Sequence, residues 1–275
     1  MAKLSNKQYW DSLYKQKSTS VGPTKQKKSI DELLISTCFR NYADYLLWEH
    51  IYPRFLCDKK GAKVVEIGSA PGSELVRLHK VFGLDPYGIE YSESGAALNR
   101  SIFIRNVIDP TNVINADFLA GEIDKQFESY FDIVISRGFI EHFDDPKRVI
   151  AKHINLLKTG GLLIISIPNL RGFNYIMQYL FQHSALKIHN IDIMKKNEFA
   201  KLFDDERLST RYCEYYGTLN FNLYAAKKKT FGWLILIPFK IIQLLLNAMF
   251  RVLLRKRGAE SKIFSPYLIY IGVKK

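Results

Sequence analysis

Lys63-Val64-Val65-Glu66-Ile67-Gly68-Ser69-Ala70-Pro71-Gly72-Ser73-Glu74-Leu75 is an apolar, β-branched run that breaks into a turn of small residues. The run predicts a strand buried on both faces of a parallel sheet, with Glu66 the only interruption in its apolar character. Gly68 and Gly72 punctuate its end. Pro71 has a φ suited to a helix start, and the small side chains from Gly68 to Ser73 leave room for a ligand at the amide-rich first turn. A tight strand-to-helix turn with no ligand explains the same residues, so the spacing has to be weighed together with the segments downstream of Leu75.

From Gly61 onward the chain alternates strand-like and helix-like segments at the pace of a βαβ array. Tyr87-Gly88-Ile89-Glu90-Tyr91 is the second strand, and it ends in an acid 18 residues beyond Gly72, a distance at which a carboxylate accepts hydrogen bonds from ribose hydroxyls. Val113 to Phe118 holds the third strand and its exit loop. Phe131-Asp132-Ile133-Val134-Ile135-Ser136 is the fourth. Lys158-Thr159-Gly160-Gly161 reads as a turn into a fifth, Leu162 to Asn169. A dinucleotide-binding turn would need G-x-G-x-x-G, and here Ser69, Ala70 and Pro71 follow Gly68, so the second glycine is missing.

These ordered motifs resemble those of the class I S-adenosylmethionine-dependent methyltransferases, in the small-molecule branch that includes quinone biosynthesis. Glu66-x-Gly68-x-x-x-Gly72 is similar to their motif I, and the resemblance covers residues 61–169. It implies an α/β fold, a doubly wound Rossmann-like seven-stranded sheet with helices on both faces. It also implies S-adenosyl-L-methionine as cofactor and S-adenosyl-L-homocysteine as product. Carried over residue by residue, Glu66, Gly68, Ser69, Ala70 and Gly72 hold the methionine end and Glu90 the ribose. Tyr91, Asp117 and Phe118 surround the adenine, and Ser136 and Arg137 close the set from the fourth strand. The loop Arg137-Gly138-Phe139-Ile140-Glu141-His142-Phe143-Asp144-Asp145-Pro146 resembles the family's post-strand catalytic loop. His142, with an ordinary pKa near ~6.5, is the candidate base for an acceptor hydroxyl, or a residue that only orders the loop.

The missing motifs narrow the acceptor. Ser136-Arg137-Gly138-Phe139 stands where base-amine methyltransferases of nucleic acid carry an Asp/Asn-Pro-Pro-aromatic run. None of Cys38, Cys57 and Cys213 lies near an active-site loop, and their spacing suggests neither a metal site nor a disulfide. No metal is expected. The formal charge of +13 keeps an RNA substrate as the alternative. Three basic clusters carry part of it: Lys25/Lys27/Lys28, Lys227/Lys228/Lys229 and Arg255/Lys256/Arg257. A third reading is a non-catalytic binding module on the same fold.

The flanks complete the chain of 275 residues, 47% of them hydrophobic. Residues 1–60 are expected to form a helical N-terminal cap, with Tyr9, Trp10 and Tyr14 at helical spacing and a helix start at Ser29-Ile30-Asp31-Glu32. Met1 to Trp10 lacks the apolar core of a secretory signal, which predicts a cytoplasmic protein. The methyltransferase domain is expected over 61–275, with an acceptor lid at 170–206, where His183, His189 and Asn190 are possible acceptor contacts. Thr210 to Gly217 and Pro266 to Val273 read as the last two strands, and residues 218–265 form an insert between them. In the apolar run Trp233 to Arg255, the polar residues Lys240, Gln243, Asn247, Arg251 and Arg255 fall on one narrow helical stripe. A helix lying in a membrane surface, a helix buried in the lid or in a homodimer contact, and a transmembrane helix broken by Pro238 and Lys240 are its three readings. The apolar insert suggests a small-molecule or lipid-like acceptor and contact with the inner face of a membrane through residues 227–257.

Overall fold

The computed structural model describes residues 3–4, 7–18, 41–225 and 231–275. The helix start at Ser29 and the clusters at Lys25 and Lys227 lie outside these residues. Seven strands form one sheet in the order β3-β2-β1-β4-β5-β7-β6. They are β1 (Lys63–Ile67), β2 (Asp85–Glu90), β3 (Val113–Asn115), β4 (Phe131–Arg137), β5 (Leu157–Pro168), β6 (Leu208–Tyr216) and β7 (Tyr267–Lys274). The first five are parallel, and β7 runs antiparallel to both of its neighbours.

Helices α1 (Lys7–Ser18), α2 (Tyr42–Leu46) and α3 (Pro53–Leu56) precede the sheet. Four more, α4 (Ser73–Phe82), α5 (Glu93–Arg105), α6 (Gly121–Phe127) and α7 (Pro146–Leu156), connect the parallel strands. Then come α8 (Phe173–Lys187), α9 (Lys196–Lys201) and α10 (Phe231–Leu253). Alternate residues of each strand feed opposite faces of the sheet. Val65 and Val134 join the core on one side, Val64, Ile133 and Ile135 the core on the other, as expected for strands covered on both faces.

Helix α4 begins at Ser73, after Gly72 at φ +94°. One local expectation gives way. Lys158 to Gly161 is not a turn ahead of the fifth strand but lies inside β5. The register against β4 slips between Phe131 and Ile133 there, so the glycines form a bulge.

Helix α10 turns the middle of its polar stripe inward, while Lys240 and Arg255 at the two ends of the stripe are exposed. Gln243 and Asn247 are buried, while Leu234, Ile241, Leu244, Leu245, Val252 and Leu253 are exposed. The Phe221 N–H donates to Gln243 Oε1 at 2.7 Å and the Tyr42 N–H to Asn247 Oδ1 at 3.1 Å. Gln243 also donates to Asn247 at 2.8 Å, and the Arg251 guanidinium lies 4.3 Å from the Tyr45 ring centre. The helix is thus held by these polar residues and by Leu236, which is buried with Met177, Phe221 and Tyr224, while much of its apolar surface faces outward.

Candidate active site

Strand order reverses between β1 and β4, and in open α/β sheets ligands bind beyond the carboxyl ends of the strands at such a switch point. A cavity of about 210 Å³ lies there, with Gly68, Ala70, Glu90, Tyr91, Asp117, Phe118, Arg137 and His142 in its wall. Eight of the twelve residues expected from sequence thus share one cavity.

The other four support it. The Ser69 hydroxyl is buried and accepts from Asn99 Nδ2 at 2.7 Å. Gly72 leaves no room for a Cβ, which would fall 2.0 Å from Asn99 Oδ1. Glu66 and Ser136 are buried, and Glu66 Oε2 and Ser136 Oγ lack hydrogen-bond partners.

Glu90, at the tip of β2, is fixed by the backbone. The Ala70 N–H donates to Oε2 at 3.1 Å and the Ser92 N–H to Oε1 at 2.8 Å, so the carboxylate ties the motif I turn to the start of α5. Burial pushes its pKa up, and the backbone donors from Ser92 and Ala70 offset this in part. Glu66 is driven higher by burial first and then by the Glu74 charge, with Arg137 pulling the other way. The Arg137 guanidinium pairs with Glu74 at 2.6 Å.

The N-terminal segment roofs the cavity, with Lys3, Trp10 and Tyr14 in its wall. Tyr14 donates to the Ala70 carbonyl at 3.2 Å, and Lys3 Nζ pairs with Asp117 Oδ2 at 2.6 Å while lying 4.1 Å from the Tyr91 ring centre. Leu4 N–H donates to the His142 carbonyl at 2.8 Å. None of Lys3, Trp10 and Tyr14 is among the site residues expected from sequence, and the helical spacing of Trp10 and Tyr14 is the only signal there that marks any of them.

His142 stands on the short 3-10 turn Ile140–His142 that follows β4. Burial, then the neighbouring His189, lower its pKa to about 4, which replaces the expectation of an ordinary imidazole. Its ring packs edge-on to Trp10 at 5.3 Å and lies 4.5 Å from the His189 ring. His183 packs edge-on to Tyr179 on α8.

A family model described as a methyltransferase domain matches residues 39–217. The chain belongs to this methyltransferase domain family. Its cofactor is S-adenosylmethionine, and the residues present fit it: a buried acid with an unpaired oxygen below the glycine turn, and a second acid pre-set by two backbone donors at the neighbouring strand tip. Among curated proteins the chain is similar to tRNA U34 carboxymethyltransferase of Alteromonas mediterranea, 32% identical over 124 residues, covering 43% of this chain and 36% of that one. It is also similar to the mitochondrial ubiquinone biosynthesis O-methyltransferase of Dictyostelium discoideum, 29% identical over 162 residues, covering 53% and 49%. The chain thus spans about half the length or less of these relatives.

Among solved structures, magnesium protoporphyrin IX methyltransferase from Synechocystis, with bound S-adenosylhomocysteine, superposes with a TM-score of 0.56 at 12% identity, over 98% of both chains. Geranyl diphosphate C-methyltransferase from Streptomyces coelicolor gives 0.54 at 15%, over 85% of this chain and 75% of that one. At such identities the likeness is one of fold.

Proposed function

We propose that the protein transfers the methyl group of S-adenosylmethionine to an oxygen of a small lipophilic acceptor, working against a membrane surface. The bound cofactor supplies an electrophilic methyl on a sulfonium. Glu90 accepts from the ribose hydroxyls through the lone pairs that Ala70 and Ser92 leave free. Glu66 faces the ammonium of the methionine part and Arg137 its carboxylate, and the ammonium favours the ionised form of Glu66 that burial disfavours in the free protein. Asp117 and Phe118 meet the adenine. His142 stands in the cavity wall with its Nδ1 donating to the Ile188 carbonyl, and positioning with exclusion of water supplies most of the rate.

The observation that carries the acceptor class is the outward apolar face of α10. A soluble helix buries its greasy side, whereas an exposed patch of this kind marks a protein or membrane contact. Exposed Arg255, Lys256 and Arg257 follow the helix directly, which suits anionic headgroups beside an apolar face. Leu245 is 64% exposed and Ile241 57%. Co-sedimentation with vesicles containing anionic lipid tests the reading: the native chain should pellet, and a variant carrying Ile241→Asp and Leu245→Asp should stay in the supernatant. Equal pelleting of both removes the membrane.

The tRNA-modifying relative and the charge of +13 support RNA as a second acceptor class. That reading requires RNA binding that weakens steeply with salt, because phosphate contacts release counterions.

A further inference from the structure

Glu141 is fully buried, at 0% exposure, and its carboxylate oxygens have no side-chain partner and no well-aligned hydrogen bond, with only the backbone N–H groups of Phe139 and of Glu141 itself nearby. Leaving a buried carboxyl so poorly satisfied is costly, so this one calls for a proton, a water or a cation.

Two imidazoles face it. His142 and His189 each place Nδ1 against a backbone carbonyl, Ile188 O at 2.7 Å and Ala185 O at 2.5 Å. A carbonyl can only accept, so in both rings the proton sits on Nδ1 and the lone pair on Nε2. This is the outer hydrogen bond that orients metal-ligating histidines. One ligand atom from each of Glu141, His142 and His189 lies within 4.8 Å of the other two. Donors ~2.1 Å from one ion stand roughly 3 to 4 Å apart, so side-chain rotations of about 1 Å close the set. The backbone holds the two loops in place, since the Asn190 N–H donates to the Glu141 carbonyl at 2.7 Å.

We propose that Glu141, His142 and His189 form a binding site for a first-row divalent transition-metal ion at the rim of the cofactor cavity. Two imidazoles and one carboxylate suit zinc, iron(II) or cobalt(II) better than magnesium, which prefers an all-oxygen shell. Three protein donors leave coordination positions open. Because His142 is also part of the cavity wall, an oxygen of a ligand in the cavity is the natural occupant of one of them. That last step rests on the proposed methyl transfer; metal binding itself does not.

The test is a titration of chelator-treated full-length protein with cobalt(II), read by its visible absorption and displaced by zinc. One equivalent should bind, and Glu141→Gln and His189→Ala should each weaken binding at least about tenfold. Binding of S-adenosylhomocysteine to His189→Ala, followed by calorimetry, should be unchanged, which separates this site from the cofactor site and shows that the variant is folded. Should the variants not fold, metal analysis of the native protein grown with added zinc decides, with about one bound ion per chain expected. No visible band with the native protein, a band that survives both substitutions, or metal far below one ion per chain overturns the proposal and leaves Glu141 as a buried neutral acid.

Discussion

Arg137 at the end of β4 and Glu74 in the first turn of α4 are joined by a 2.6 Å ion pair across the switch point of the sheet. The Tyr52 hydroxyl donates to the other Glu74 oxygen at 3.2 Å, so the pair also fastens the segment ahead of β1 to the floor of the site. Side-chain exposures of 30% and 16% make it only partly screened. Replacing Glu74 by Gln should lower stability by about 1–3 kcal/mol, less than a fully buried charge would lose, and urea denaturation measures it.

Glu90 is pre-set by backbone donors, so its replacement by Gln keeps the shape and removes the charge. Hydrogen bonds to charged acceptors contribute about 1.5–3 kcal/mol each. Glu90→Gln should therefore weaken S-adenosylhomocysteine binding by roughly 10-fold to 100-fold, as read by calorimetry. Unchanged affinity would remove Glu90 from the ribose site.

Glu66 carries a pKa raised well above its ordinary 4.5 by burial. The folded state then holds a proton that the unfolded state has lost, so this acid favours folding most below pH 4.5, and the contribution disappears as pH climbs through the raised value. Glu90 and Glu260 shift in the same direction. Stability of the ligand-free protein should fall as pH rises from 4.5, and Glu66→Gln should flatten part of that slope. Denaturation curves at a series of pH values report it, and an identical slope in the variant would contradict the assignment.

Helix α10 supplies an inverted pair of substitutions. Asn247→Leu deprives the Tyr42 N–H and Gln243 of their acceptor and should cost about 1–3 kcal/mol. Leu245→Asp, on the exposed side, should leave stability within about 0.5 kcal/mol. In an ordinary amphipathic helix the order would be reversed, and thermal denaturation of the two variants distinguishes the cases.

What could be read from sequence was whatever the chain encodes locally. The motif I turn, the acid ending β2 and Asp117-Phe118 each lie at the end of their own strand, so short-range pattern placed them in one cavity. The bulge in β5 escaped because Gly160-Gly161 is the same signal for a turn as for an irregular strand. Lys3 and Trp10 reach the cavity only through tertiary packing of α1 beside α5, where Ser92 Oγ donates to Asp11 at 2.5 Å. Glu141 and His189 are 48 positions apart, and no periodicity links them. The polar stripe of α10 was legible as a stripe; which way it faces depends on the acceptors and donors of Tyr42 and Phe221, far away in sequence.

Tyr216 and Tyr267 sit directly opposite each other in the antiparallel pairing of β6 with β7. The chain between them leaves the sheet and returns to it at the same rung, so geometrically it is one very long hairpin loop. Closing such a loop costs only about 0.6 kcal/mol more for each doubling of its length. The sheet is therefore nearly indifferent to the length of the loop; what binds the loop to the molecule is a few hydrogen bonds, among them the Tyr42 N–H to Asn247 and Asn169 Nδ2 to the Ser265 carbonyl.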